Sequence, residues 1–466
     1  MSQNIVIVGG GMSGLASARF LAEDPNNNIT IIEKSNEFGG LYTSTRSKDG
    51  YVFDHGSHTV LDTGVPELDS ILFEDFKKDE WEIIEESLKE TVYFLGEHTD
   101  NTVCPDARKL PADIYQKGLA EFMALKAPET EPKNLEEMLN ATYGKTFADH
   151  LIRPIIEKFY QGDFKDLHPK MYKDFLPLSR IILFDTEMTN RLKQIPFFDD
   201  RIAWTHFKEG NSQIKKYFSK KGGVGVWPAL LEEKVRKMGV KMMPNHAVKT
   251  VTHNNGEISG VVLEDGTTIQ CDQLIWTIPA ISFLQAANLP LPKAERPTVL
   301  QSLVYNFIFD KELLKDDHWI FNYDKDMDTF RVTLYPNLTT GPIGKAPHHM
   351  TVEVLKQPQD IPENIDDLWD SLFAEAVKMG LVSQDTNIID RYCYAAPGAR
   401  PIPTLNFKKA QSEQIQLAKD SFSNLKLYGR GNGSHFMNPL LREIWVDIKG
   451  IDVNPNERPA KALEAA

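Results

Sequence analysis

Residues 5–14 constrain this chain more than any other stretch. Ile5-Val6-Ile7-Val8 is a continuous apolar run rich in β-branched residues, the pattern of a strand buried on both faces of a parallel sheet. Gly9, Gly11 and Gly14 follow at once, at the three positions of G-x-G-x-x-G. Leu15, Ala16, Ala18 and Leu21 then give a helical pattern, and Ile29-Thr30-Ile31-Ile32 reads as a second strand ending in Glu33. Each part has a physical task. Gly9 permits a tight turn, Gly11 lets a pyrophosphate approach the backbone, and Gly14 lets the helix pack on the strand. The helix N-terminus, with Met12 and Ser13 in its first turn, offers N–H groups and a partial positive charge to an anion. Glu33, followed by Lys34, lies 19 residues past Gly14, where a carboxylate can accept hydrogen bonds from ribose hydroxyls. Strand, glycine turn, helix, strand and acid in this order predict a dinucleotide site.

Composition narrows the class. The 466 residues are 41% hydrophobic and 25% charged, which excludes wholesale disorder and predicts about two or three domains. Lys and Arg number 52 against 66 Asp and Glu, a net charge of −14, which disfavours general binding of nucleic acid. Cys104, Cys271 and Cys393 are odd in number and far apart, so neither a disulfide framework nor a structural zinc site is expected. His348-His349 lacks a helical partner or an acid cluster, and no metal site is expected. Met1–Asn4 lacks the basic region of a signal peptide, and no apolar run reaches the ~18 residues of a membrane span. The expectation is a soluble cytoplasmic enzyme.

The continuation past Glu33 points to the cofactor. Gly39-Gly40 is followed by Leu41-Tyr42-Thr43-Ser44 and then by Phe53-Asp54-His55-Gly56-Ser57-His58. Here the chain resembles the flavoprotein superfamily of amine oxidases, protoporphyrinogen oxidase and phytoene desaturases, with a partial resemblance to UDP-galactopyranose mutase. The resemblance implies an α/β fold: a Rossmann-like FAD-binding domain with an inserted α+β substrate domain. It also implies non-covalent FAD, with Gly39, Gly40, Leu41, Gly56 and Ser57 beside it. Leu41 stands where the oxidases often carry an arginine, which leaves Ser44 and Arg46 as stand-ins.

Two later segments extend the likeness. Gly222-Gly223 before an amphipathic helix, and Cys271–Pro279, resemble the superfamily's return to the flavin domain. Val248 falls where the superfamily places a backbone contact to the adenosine half, or is a core strand valine. Gly429-Arg430, with Met437 further on, resembles the C-terminal flavin motif, though Asn438 replaces an acid of the mutase version; a glycine turn capping a helix is the alternative. The FAD domain is thus expected from residues 1–60, 215–289 and 400–450. The substrate domain is expected from 61–214 and 290–399, and a polar tail from 457–466.

Within the insertions, Asn134 with Glu137 predicts a capped helix over 134–140, and Pro154 predicts a helix start or kink. Leu303 to Phe309 and Phe330 to Leu334 alternate, as in an antiparallel sheet that could floor a substrate cavity. Arg391–Tyr394 and Arg400–Pro403 suit anion binding, or form an edge strand and turn.

The resemblance implies two different reactions. In one, a small organic substrate gives a hydride to flavin. In the other, reduced flavin attacks a nucleotide sugar without net oxidation. The oxidoreductase is preferred here, with His58 as the candidate catalytic residue and Tyr394 and Arg400 as substrate contacts. A third reading is a non-catalytic binding protein, as the Rab GDP-dissociation inhibitors of the same fold are; the intact glycine fingerprint and Glu33 argue against it.

Overall fold

The computed structural model describes residues 2–84, 88–174, 176–205, 215–292, 297–339, 341–342, 344–433 and 436–451. The segment 457–466 lies outside them.

The first strand, β1 (Gln3–Val8), ends at the glycine turn, and α1 (Met12–Leu21) follows; β2 is Asn27–Ile32. Far along the chain come α2 (Val226–Lys237), β3 (Lys241–Met243), β4 (Gln273–Trp276), β5 (Leu425–Leu427) and α3 (Met437–Lys449). The five strands form one parallel sheet in the order β3-β2-β1-β4-β5. The order reverses at β1, and ligands of open α/β sheets bind outside the carboxyl ends of the strands at such a point.

The alternating faces of β1 explain its unbroken apolar sequence. Ile5 and Ile7 join a core with Leu15, Trp227, Leu441 and Trp445 from the three helices. Val6 and Val8 face the other way, into a core with Trp276, Phe283 and Phe422. Each fully buried aliphatic side chain of such a core contributes about 1.5–3 kcal/mol. A three-stranded antiparallel meander (Val248–Asn254, Glu257–Leu263, Thr268–Gln270) covers this second face. Its first turn is tight, with Asn255 and Gly256 both at positive φ, 50° and 79°.

The second large element is a seven-stranded mixed sheet. Its order is Ile388–Pro401, Val299–Phe309, His349–Lys356, Thr329–Leu334, Trp319–Asn322, Glu90–Phe94 and Glu97–Thr99. Its edge strand runs on to Pro401, so Arg400 belongs to this sheet and not to the return into the parallel one. One face is apolar: Tyr305, Phe307, Val352, Val354 and Leu334 pack under the helix Trp369–Lys378. The other face is polar. Arg331 pairs with Glu353, Glu353 with Val304, and Val304 with Tyr394; two residues along, Thr333, Thr351, Asn306 and Tyr392 form the next row. Side chains two apart along a strand share a face, so both rows look the same way, toward the segment His55–Ser57, which Tyr394, Glu353 and Thr333 contact.

Helices of the 107–205 region pack beside this sheet around Leu139, Tyr143, Phe147, Leu151 and Ile155. Asn134 caps Leu135–Tyr143 by accepting the Glu137 N–H at 3.0 Å. Pro154 marks the start of an α-helical segment, as expected from the sequence. It sits in the first turn of Arg153–Glu157, which continues a π-helical turn over Ala148–Ile152. The wider turn absorbs the carbonyl that a proline leaves unpaired. Among the described residues no helix is long and apolar enough to cross a membrane.

Candidate functional site

The glycines of the first turn do separate work. Gly9 holds φ +101°, and its N–H donates to the Ile32 carbonyl at 2.9 Å. A Cβ at Gly14 would stand 2.0 Å from the Gly9 carbonyl oxygen, so only glycine lets α1 approach β1 this closely. Gly11 is different. Its φ of −69° suits any residue, and a Cβ there would meet nothing within 4 Å. That open space, at the N-terminus of α1 with buried Met12 and Ser13, is the cradle a pyrophosphate would fill. Glu33 is anchored beside it: Oε2 accepts the Gly10 N–H at 2.7 Å and Oε1 accepts the Ser35 N–H at 2.8 Å. Each oxygen keeps capacity for a further donor, such as a ribose hydroxyl. Lys34 is exposed.

Gly39-Gly40 leans back onto this turn. The Gly39 N–H donates to the Gly10 carbonyl at 2.9 Å, and a Cβ at Gly40 would lie 3.4 Å from the Gly11 Cα. Leu41 is half-buried, and Ser44 is not free to replace the missing arginine. Its hydroxyl donates to Asp54 Oδ1 at 2.6 Å and accepts the Gly225 N–H at 2.9 Å. Arg46 is exposed on the short strand Ser44–Arg46.

The C-terminal turn meets the same place. A Cβ at Gly429 (φ +96°) would lie 2.2 Å from the Thr277 carbonyl oxygen, and the Thr277 hydroxyl donates to the Val8 carbonyl at 2.9 Å. Asn432 donates to the Ile278 and Tyr428 carbonyls, both at 2.8 Å, and accepts the Ala280 N–H at 2.9 Å. The ends of β1, β4 and β5 are thereby laced together. Arg430 is exposed in this turn, and Met437 opens α3 against the core beneath α1. Val248 opens its strand two residues after His246, whose N–H donates to the Glu33 carbonyl at 2.9 Å.

The segment 53–58 bridges to the polar face of the large sheet. Asp54 is buried; Oδ1 also accepts the Val224 N–H at 3.1 Å, while Oδ2 has no hydrogen-bond partner within the protein. Burial pushes its carboxyl up to about 7, against the pull of Ser44 and the Val224 N–H. His55 lies 2.8 Å from Tyr394 Oη and 2.9 Å from Thr43 Oγ1. Gly56 abuts Glu353, the Ser57 N–H donates to Glu353 Oε1 at 3.0 Å, and Ser57 Oγ lies 2.6 Å from Thr333 Oγ1. His58 packs on Tyr42 with ring centroids 5.2 Å apart, and Tyr42 packs on Trp227 at the start of α2. His58 Nδ1 lies 3.1 Å from the Gly56 carbonyl, which can only accept, so the proton sits on Nδ1 and Nε2 carries the lone pair. Burial first, then Arg331 and Arg430, holds its pKa down at about 4.

Comparison with known proteins agrees with this geometry. The NAD(P)-binding Rossmann-like domain family matches residues 7–72, and the pyridine nucleotide-disulphide oxidoreductase family matches residues 227–301. Both matches are to nucleotide-binding families, and they fall on segments that build the parallel sheet. Coproporphyrinogen III oxidase of Staphylococcus aureus is 45% identical over 62 residues, 13% of each chain. The 4,4'-diaponeurosporene oxygenase of Staphylococcus aureus is 23% identical over 307 residues, 60% of this chain and 56% of that protein. These matches span only part of the relatives' lengths. Among solved structures, reduced UDP-galactopyranose mutase shares the fold, with a TM-score of 0.75 at 16% identity over 100% of this chain and 99% of that one.

Sequence reading missed the groups that face His58. Arg331 grips Glu353 with both prongs, at 2.7 and 2.9 Å. Burial pushes the Glu353 carboxyl up, but Arg331 outweighs it and the net shift is downward. The signal was present in the alternation from Arg331 on: Val332 and Leu334 claim one face, so Arg331 and Thr333 claim the other, while Phe330, at a bulge between Thr329 and Arg331, leaves the expected alternation and joins the core around Phe159 and Phe321. What the pattern lacked was the partner.

Proposed function

We propose that this protein is an FAD-dependent oxidoreductase that takes a hydride from a small organic substrate, with FAD held non-covalently. One observation carries the reading: Gly40 lies against Gly11 at the open cradle, Tyr42 two residues on packs its ring on His58, and Ser57 beside His58 bonds Glu353 on the polar face of the large sheet. Gly9, Gly11, Gly14, Met12 and Ser13 hold the pyrophosphate, and Glu33 with neighbouring Lys34 the ribose. Gly39, Gly40, Leu41, Gly56, Ser57, Val248, Gly429, Arg430 and Met437 line the remainder of the cofactor. FAD, when bound, supplies hydride acceptance at its N5.

The chain's own residues handle the rest. His58 is neutral at pH 7, and its Nε2 lone pair takes the proton that the substrate's heteroatom loses as the neighbouring carbon gives up hydride. Tyr394 and Arg400 orient the substrate from the sheet. The packed ring of Tyr42 keeps His58 from rotating away.

The test is an anaerobic titration of FAD-loaded protein with amines, polyenes and nucleotide sugars. Bleaching of the flavin by a substrate supports this reading. Sugar isomerisation that occurs only after dithionite reduction, with no acceptor consumed, replaces it with mutase chemistry.

A further inference from the structure

Arg331 and Glu353 face each other on neighbouring strands, and the two hydrogen bonds between them stay within the sheet. A third bond to the same carboxylate leaves it. Glu353 Oε1 accepts the Ser57 N–H at 3.0 Å, from a segment 296 positions away in sequence. Gly56 lets the carboxylate come this close: its φ is +97°, and a Cβ there would stand 2.4 Å from Glu353 Oε2. Ser57 Oγ, 2.6 Å from Thr333 Oγ1, fastens the segment to the strand that carries Arg331. Glu353 is 4% exposed, and the two-pronged grip of Arg331 holds its carboxylate still.

The Ser57 N–H and the Gly56 C=O belong to one peptide unit. That unit is planar and trans, so its two polar groups point in opposite directions. Glu353 holds the N–H end. The C=O end meets His58, whose Nδ1 lies 3.1 Å from the oxygen. Turning this peptide over would break the Glu353 bond and swing the carbonyl away from the imidazole. Which ring nitrogen of a histidine carries the proton is set by the hydrogen bond that the other makes. Without the Gly56 carbonyl the ring would favour the form of a free histidine, with its proton on Nε2. That is the nitrogen whose lone pair has to stay open.

We propose that Glu353 is a positioning residue for His58: by holding the Ser57 N–H it aims the Gly56 carbonyl at Nδ1 and so keeps Nε2 free to accept a proton. This deepens the flavin reading and rests on it only for the use made of Nε2. Arg331 serves Glu353 in turn, by fixing the carboxylate that grips the peptide.

Nuclear magnetic resonance of the protein with isotope-labelled histidine reads the tautomer directly. Spectra are taken at about pH 8.5, where an ordinary imidazole is already neutral. The His58 signals are those absent from H58Q. The native protein is expected to carry the His58 proton on Nδ1. E353A should shift the ring to a mixture in which the Nε2–H form predominates. Because E353A leaves Arg331 unpaired inside the protein, R331L/E353L repeats the test with both charges removed and should show the same shift. E353Q keeps an oxygen for the Ser57 N–H and should recover most of the native tautomer. The proposal is overturned if native His58 carries its proton on Nε2. It is equally overturned if E353A or R331L/E353L melts at lower temperature yet keeps the proton on Nδ1, since Glu353 would then do no more than fasten the segment to the sheet. None of these spectra needs FAD, so a chain that takes up no flavin would sink the flavin reading and leave the tautomer result standing.

Discussion

His55 accepts a hydrogen bond from Tyr394 across the junction of the two sheets. The direction follows from counting protons. Thr43 Oγ1 spends its one proton on the Gly40 carbonyl at 3.0 Å, so His55 Nε2–H must donate to it, and Nδ1 is left to accept the Tyr394 hydroxyl at 2.8 Å. One imidazole thus ties the turn after Gly39-Gly40 to the edge strand Ile388–Pro401. Thr45 and Tyr392 repeat the link one step along, with their oxygens 3.2 Å apart.

The pair can be measured. Y394F leaves His55 Nδ1 without its donor, and H55A leaves the Tyr394 hydroxyl without its acceptor. Each should cost about 0.5–1.5 kcal/mol, the net worth of one hydrogen bond in a half-buried pair. A double-mutant cycle in urea should give a double variant clearly more stable than the sum of the two single losses. Simple additivity would show that the two groups do not interact.

Gly11 and Gly14 should fail in different ways on replacement by alanine. G14A drives a methyl group into the Gly9 carbonyl, so the apoprotein itself should melt at lower temperature. G11A meets nothing in the fold and adopts an ordinary φ. It should melt as the native apoprotein does while binding FAD at least about ten-fold more weakly, because its methyl group occupies the cradle. Equal FAD affinity in G11A would mean that the open space holds something else.

Asp54 makes a prediction about pH. Its folded pKa is raised to about 7 from an ordinary 3.8 by burial. The folded state therefore holds a proton that the unfolded chain has lost between those values, and stability falls as pH rises through this window. D54N keeps an acceptor for Ser44 and the Val224 N–H but cannot ionise. Its melting temperature relative to the native protein should climb from pH 4 to pH 7 and level off above. A difference that does not vary with pH would show that Asp54 titrates normally.

Parts of this architecture were legible because local pattern decided them. The unbroken run Ile5–Val8 could only be a strand buried on both faces, and the two cores that divide its side chains are the reason. Gly14 could be read as a close approach of helix to strand, although the Gly9 carbonyl it meets could not, and the contacts of Gly39 with Gly10 and of Gly429 with Thr277 were not legible at all. Other parts were fixed by tertiary contact alone. Arg331 and Glu353 are 22 residues apart, and only strand register sets them face to face. His55 reads as a polar loop residue until the fold brings Tyr394 to it from 339 positions away. Ser44 looked able to serve a cofactor, but Asp54 and the Gly225 N–H claim its hydroxyl.

The central claim is that the glycine cradle and Glu33 hold FAD. Spectrophotometric titration of the purified chain with FAD, beside E33A, measures it most directly. The account predicts a yellow protein with one FAD per chain and weaker binding in E33A, which loses the carboxylate that the Gly10 and Ser35 N–H groups orient. A colourless protein that cannot be reconstituted with FAD, or an E33A variant that binds it unchanged, would contradict it.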